Sequence, residues 1–497
     1  MPNAYRYASV REIHEAYLTG QATVTEVVDE FLSLIDRYNP YLHAVIEINP
    51  DVREIAAKLD KTLAALRADL HQKDTPTPRT LPLLFGIPVL LKDNIATGDK
   101  LHTSAGAAAL GDLLAPNDAP CAKNLRKAGV VILGKANLSE FANYYTEDNP
   151  NGWSARGGQT IHPYEPVPKD LSVFELGKYK QEEHFDPSGS SSGSAVATAA
   201  GLCTAAVGTE TSGSILSPSA CNGLIGCKPT AGLVSNEAVI PISPTLDTPG
   251  PMARTADDCA VLLTALAGLS EEAFSQQYPD EALSLPGLKF GVILPRNKEE
   301  RGKWDPTDEE YAIFDAFLEK MEKAGVILMR GADRGTSDGI MDLMKYEIKG
   351  SINAFLAWAN REGERTKMHS LTDILDYVHA HPECSPYGHT LLETRDKDTS
   401  DRMDEPGYLE ALHKREGAQA KMAAYFDENQ LDAIISVDFP GFAPFGGFPA
   451  VTLPLGFRAD GYPVAAFLYA RPGQDFRLIR IVKALAALQP PMPHPNI

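Results

Sequence analysis

"PSGSSSGSAVATAAGLCTAAVGTETSGS", residues 187–214, sets two serine-glycine turns on either side of a run of small and apolar residues. Serine and glycine fill seven consecutive positions, Ser188 to Ser194. The order of residue types predicts turn, helix, buried strand, turn. A helix of about ten residues advances roughly 15 Å. A strand of five or six residues returns roughly 17–20 Å. The unit therefore brings its two turns side by side and makes Ser190 and Ser214 neighbours.

A serine-glycine run has two ordinary uses besides catalysis. Flexible linkers have this composition, but they are not normally embedded between buried strands. A phosphate cradle places backbone N–H groups at a helix start, as in the loop of small-molecule kinases of the galactokinase and homoserine kinase type. This stretch lacks the Walker lysine arrangement, and a cradle leaves "GTETSGSI" unexplained.

Working outward, "GIPVLLKDNI" (86–95) is a short apolar strand bounded by Gly86 and Pro88. "GVVILGKANLSEFA" (129–142) predicts a strand, a turn and a helix starting near Asn137. "KFGVILP" (289–295), "LDAIISVDF" and "FPAVTLPLGF" are further strands, and "DFRLIRIVKALAAL" is a closing helix. In the N-terminal part, Val24, Val27, Val28, Phe31, Leu32 and Ile35 recur at helical spacing, with Thr23 or Thr25 as cap. "DVREIAAKLDKTLAALRADL" repeats the pattern, with Asp51 and Glu54 as its start signal. Residues 72–80 are a polar, proline-bearing connector. Residues 154–186 break the rhythm with Pro163, Pro166 and Pro168 and predict an irregular surface excursion bordering a cleft. Residues 306–428 are mostly helical. Strands alternating with helices give an α/β class with a mainly parallel or mixed sheet.

The chain has 497 residues, 43% hydrophobic and 23% charged, which excludes wholesale disorder. Lys and Arg number 46 against 66 Asp and Glu, a formal net charge of -20. So acidic a chain is a poor general binder of nucleic acid or anionic membranes. No apolar stretch approaches the roughly 18 residues of a membrane span, and no signal peptide pattern opens the chain. Six scattered cysteines fit free thiols in a reducing compartment, so a cytoplasmic address is expected.

"GIPVLLKDNI", "PSGSSSGSAVATAAG", "GTETSGSILSPSACNGLIGCKPTAGLVS" and "GGFPAVTLPLGF", in this order and spacing, resemble the amidase signature family. The likeness spans nearly the whole chain, and "GWSARGGQT" and "IPISPTLDTPGPMART" are similar to its bacterial peptide amidase branch. The resemblance implies an α/β fold: a large mixed β-sheet core flanked by helices on both faces, with a helical cap insertion. The expected organisation is one domain over 1–497, with N-terminal helices in 1–70, a catalytic core in 80–295, the cap in 306–428 and a return to the sheet in 429–497. It implies a Ser-cisSer-Lys triad: Ser214 the nucleophile, Ser190 the bridging serine after a cis Gly189–Ser190 bond, and Lys92 the base. It assigns the oxyanion hole to the backbone N–H groups of Thr211, Ser212, Gly213 and Ser214. No cofactor and no metal are implied. The expected partner is a small-molecule amide, with no nucleic acid or membrane, in a monomer or homodimer.

The chemistry can be argued beside the resemblance. A serine hydroxyl needs a base, and no His-Asp pair suggests itself near either turn. A lysine is a base only when neutral, which requires burial without a fixed carboxylate partner. Lys92 follows the apolar run Val89-Leu90-Leu91, and Asp93, its neighbour on a strand, points to the opposite face. Ser188 and Ser192 replace glycines of the commonest family loop, and Ser212 replaces a glycine or aspartate. Leu216 stands where glutaminase subunits of tRNA-dependent amidotransferases carry arginine, which could hold a substrate carboxylate. An amidotransferase glutaminase subunit and a small-molecule kinase are the alternative functions.

Other candidates have blander readings. His379, His381, Glu383 and Cys384 in "HAHPEC" are zinc ligand types, but a polar pocket rim is the expectation. Cys203, Cys221 and Cys227 are expected to be packing residues. Asn137, Ser139 and Glu140 read as helix capping first and substrate contacts second. The aromatics of "FPGFAPFGGF" (439–448) read as core, or as a wall for an apolar acyl or aryl group.

Overall fold

The computed structural model describes residues 4–70, 81–166, 179–302 and 305–497. The 72–80 connector, and 167–178 of the 154–186 excursion, lie outside them.

Eleven strands form one sheet. In chain order they are β1 (Val45–Ile48), β2 (Pro88–Lys92), β3 (Val131–Ala136), β6 (Ala205–Glu210), β7 (Ile225–Lys228), β8 (Thr248–Ala253), β9 (Lys289–Val292), β10 (Ile327–Arg330), β11 (Ala433–Ser436), β12 (Ala450–Phe457) and β13 (Pro463–Tyr469). A separate two-stranded ladder pairs β4 (Trp153–Ser154) with β5 (Gly158–Gln159). The order across the sheet is β1-β3-β2-β6-β8-β7-β12-β13-β11-β9-β10. Parallel pairing joins β3, β2 and β6, and again β11, β9 and β10. The strands between them run antiparallel, so the sheet is mixed.

Every residue of β2, β3, β6, β8 and β13 is buried. Side chains alternate between faces along a strand, so unbroken burial requires cover on both. Helices supply it. Helix Val24–Leu42 starts with a capping box between Thr23 and Glu26 and buries the six predicted residues together with Leu34 and Leu42. Helix Ser192–Ala199 is buried along its whole length. At the second predicted start, Asp51 offers its carbonyl to Ile55 N–H while its carboxylate takes the Lys100 ammonium at 2.6 Å.

The 306–428 segment holds helices Asp308–Lys323, Ile340–Ala359, Leu371–Ala380, Thr390–Asp398 and Pro406–Asn429, and also β10 at the edge of the sheet. Leu343, Ile348, Leu356, Leu371 and Ile374 from this segment share a second core with Leu138, Phe141 and Tyr145. That contact sets the helices beside the loop that follows β3.

Two local expectations are corrected. No helix starts near Asn137: a short 3-10 turn, Glu140–Asn143, follows β3, with positive φ at Phe141, Ala142 and Asn143. The Asn137 amide is spent elsewhere, donating to the carbonyls of His43 and Gly158 and to Thr160 Oγ1. The described start of the 154–186 excursion is not a surface loop either. Ser154, Thr160 and His162 are buried, and Ser154 Oγ donates to Asn137 Oδ1 at 2.7 Å.

Candidate active site

Both serine turns lie at strand and helix ends. The first precedes helix Ser192–Ala199, and the second follows β6 and precedes helix Leu216–Cys221. The helix and β6 between them form the predicted out-and-back unit. Ser191 N–H donates to the Ser214 carbonyl at 3.2 Å, which ties the turns together.

The first turn is neither linker nor phosphate cradle. Three of its hydroxyls and the N–H groups of Ser188, Ser191 and Gly193 are already spoken for. Ser191 Oγ donates to Thr209 O, Ser192 Oγ to Ser188 O and Ser194 Oγ to Val207 O. Gly193 N–H donates to Asn137 O, and a Cβ there would sit 2.4 Å from Ala44 O, so only glycine fits. Ser188 adopts φ 58, where glycine is the easier residue, and its N–H is held by Asp186 Oδ1 at 2.7 Å. The Gly189–Ser190 peptide is cis.

Lys92 ends β2 and is fully buried. Its Nζ lies 2.8 Å from Ser190 Oγ and 3.2 Å from Thr209 O. Burial pulls its pKa down from 10.5 to about 7, although Asp247 and Glu210 pull the other way. Asp93 does not pair with it. That carboxylate accepts from Ser104 Oγ and from Gly106 N–H, with Arg156 at 3.8 Å. The amine therefore sits between a hydroxyl and a carbonyl, with no ion-pair partner within bonding distance among the described residues.

The second turn is organised by two acids that the sequence reading did not single out. Glu210, the last residue of β6, is buried, and its Oε2 accepts the N–H groups of Ile215 (2.8 Å) and Leu216 (2.9 Å). The Gly213 N–H also faces this carboxylate. Asp247 takes the Thr211 hydroxyl at 2.5 Å and the N–H groups of Ile242 and Ser243. The available signal was an acid closing an apolar strand in "AAVGTE" and another inside "PTLDTPGP". Of the four residues assigned to the oxyanion hole, Thr211, Gly213 and Ser214 are buried and Ser212 is exposed. Gly213 has φ 95, a left-handed backbone that glycine adopts without strain.

The remaining candidates separate. Phe442, Phe445 and Phe448 are core, whereas Phe439 is half-buried, and its ring would lie 3.1 Å from a Cβ on Gly213. Ser139 Oγ accepts Gly152 N–H and its own N–H donates to Ser190 O, so it braces the bridging serine. Glu140 is buried and accepts Ala155 N–H; burial pushes its carboxyl up to about 8. Leu216 is fully buried. Cys203, Cys221 and Cys227 are free thiols, and burial pushes Cys203 up to about 11 and Cys221 to about 12, which leaves them inert. In "HAHPEC", His381 pairs with Glu383 at 3.4 Å, and the four named residues do not form one cluster. Among the described residues no helix is long and apolar enough to cross a membrane.

The sequence model of the amidase family matches residues 26–445. A probable amidase of Arabidopsis thaliana is 32% identical over 483 residues, covering 92% of this chain and 85% of that protein. The crystal structure of a peptide amidase from Stenotrophomonas maltophilia is similar with a TM-score of 0.81 at 31% identity, covering 99% of this chain and 100% of that one. An amidase family protein from Bacillus anthracis is similar with a TM-score of 0.82 at 29% identity, covering 99% of this chain and 92% of that one.

Proposed function

The chain belongs to the amidase family, and from that premise we propose that it is a serine amidohydrolase cleaving a carboxamide C–N bond through an acyl-enzyme. The observation that carries this reading is the fully buried Lys92 amine 2.8 Å from Ser190 Oγ, in a turn bonded to the turn of Ser214.

In this mechanism neutral Lys92 accepts the proton of Ser190, and Ser190 accepts that of Ser214. Ser214 Oγ attacks the carbonyl carbon, and the C=O π pair moves onto oxygen. Backbone N–H groups of Thr211, Ser212, Gly213 and Ser214 stabilise that oxyanion. Glu210 holds the same turn and shares the Gly213 donor. Collapse breaks the C–N bond, and the leaving amine takes the proton back along the relay. Water repeats the sequence and releases the acid. Phe439, beside Gly213, forms one wall for the acyl group.

The substrate is a primary aliphatic or aryl amide, a C-terminal peptide amide, or a related carbamate or ester. A glutaminase role is disfavoured by Leu216, which cannot hold a substrate carboxylate as arginine does. The kinase alternative is disfavoured by the engagement of the first turn, where Ser191 and Gly193 N–H groups bond Ser214 O and Asn137 O and the following helix Ser192–Ala199 is buried along its whole length. Turnover of a panel of amides, esters and carbamates by the wild type and by Ser214→Ala tests the proposal. Ser214-dependent release of acid and amine supports it. Turnover retained in Ser214→Ala, or a panel untouched while glutamine is hydrolysed, refutes it.

A further inference from the structure

The helical segment beside the site carries a cluster that the mechanism does not use. His379 lies in the last turn of helix Leu371–Ala380, and His389 and Glu393 lie at and just inside the start of helix Thr390–Asp398. One ligand atom from each lies within 4.8 Å of the others. The two imidazole centroids are 4.8 Å apart, and His379 Nε2 is 3.8 Å from Glu393 Oε1. Two nitrogens and one carboxylate oxygen converging from two helices are the donor types that zinc selects.

We propose that His379, His389 and Glu393 form a binding site for a divalent metal ion of zinc type, which clips the two helices across the 381–389 loop. The fit is physical. Tetrahedral zinc with bonds near 2.0–2.1 Å needs ligand atoms roughly 3.3–3.4 Å apart. From separations of at most 4.8 Å, the widest pair reaches that spacing if each of its two atoms moves by about 0.7 Å. His389 Nδ1 lies 3.3 Å from Ser385 Oγ. With that nitrogen acting as donor, the lone pair falls on Nε2, the second-sphere arrangement that orients metal-binding histidines. The competing cation is Lys397, whose ammonium is 2.9 Å from Glu393 Oε1. Its side chain is 68% exposed, so water can replace this contact when the ion enters.

The clip has a structural consequence. Tyr387, inside the spanned loop, packs edge-on against Trp153 at 5.2 Å. Leu392 N–H donates to the Tyr145 carbonyl, and His389 lies 6.3 Å from the Tyr145 ring. The ion thus fastens the cap to the 145–153 segment, whose Gly152 bonds the Ser139 that braces Ser190.

The experiment uses the full chain after chelator treatment, with zinc and cobalt(II) as probes. One equivalent of cobalt should bind with visible bands of a four-coordinate site. Zinc should displace it, raise the thermal midpoint and slow proteolytic cleavage within 381–389. His379→Ala and His389→Ala change partly exposed side chains, so they should fold, and each should weaken binding at least ~10-fold. His381→Ala, two residues away but outside the cluster, should bind as the wild type does. No saturable zinc binding at micromolar concentration overturns the site. So does binding that survives both single variants, or that is lost equally in His381→Ala. Binding without protection of the loop overturns the clip.

Discussion

Replacing Lys92 by methionine turns the buried amine into a measurable pH signature. In the unfolded chain this lysine titrates near 10.5, whereas in the folded protein burial holds it at about 7. Below pH 7 both states carry the proton, so Lys92 contributes no slope. Between about 7 and 10.5 the unfolded state carries one proton more than the folded state, so stability rises with pH. The slope reaches about 1.4 kcal/mol per pH unit well above pH 7 and is half that at pH 7, which sums to about 2 kcal/mol between pH 7 and 9. Lys92→Met removes this dependence and leaves every other group common to both proteins. It also removes the Lys92 donor from Ser190 Oγ, a constant offset of about 1–3 kcal/mol, whereas Thr209 O keeps the Ser191 hydroxyl. Urea unfolding of both proteins at pH 6, 7, 8 and 9, at fixed ionic strength, measures the difference. The wild type should gain on the variant by about 2 kcal/mol from pH 7 to 9 and by little from pH 6 to 7. Parallel curves above pH 7 would refute a neutral, buried Lys92.

The catalytic counterpart is a kcat/KM that rises with pH through an apparent pKa near 7, set by the Lys92 amine that burial holds there; Lys92→Ala should flatten that limb and cost ~10²–10⁴-fold in rate. An unchanged limb in the variant would remove Lys92 from the relay. Glu210→Ala should destabilise the fold by about 2–3 kcal/mol, because the bonded N–H groups of Ile215 and Leu216 lose their buried acceptor. It should also lower kcat, which a purely structural loss elsewhere would not do. Phe439→Ala should raise KM for aryl or bulky acyl substrates by ~10–100-fold and spare small acyl groups, read from steady-state kinetics on both classes. Equal effects on the two would take Phe439 out of the acyl wall.

The sheet was legible where strands are buried on both faces, because β2, β3, β6 and β12 spell continuous apolar runs. β10 was not: its apolar run Val326–Met329 sits between two helices in a segment that reads as mostly helical, and the strand lies at a partly exposed edge of the sheet. Ser190 and Ser214 were legible as neighbours through the out-and-back geometry of one helix and one strand, whose two turns are joined by the Ser191 N–H to Ser214 carbonyl bond. Lys92, on a strand distant in sequence, came only with the family resemblance. Asn137 was misread because a capping residue and a buried amide hub have the same composition. Only the distant His43, Gly158 and Thr160 tell them apart. Glu210 and Asp247 bond mainly backbone N–H groups, which carry no residue-type signal, so only the placing of an acid in an apolar or proline-rich stretch marked them. The His379 cluster escaped because its partners His389 and Glu393 lie beyond the motif, across a loop.

The identity of the acylated hydroxyl decides the mechanism. Mass spectrometry of the protein after reaction with a slowly deacylating aryl carbamate or activated ester reads it directly. The mechanism predicts one acyl group on the peptide bearing Ser214, absent in Ser214→Ala and formed far more slowly in Lys92→Ala. An adduct on Ser190 or on a cysteine, or full labelling of Ser214→Ala, would contradict it.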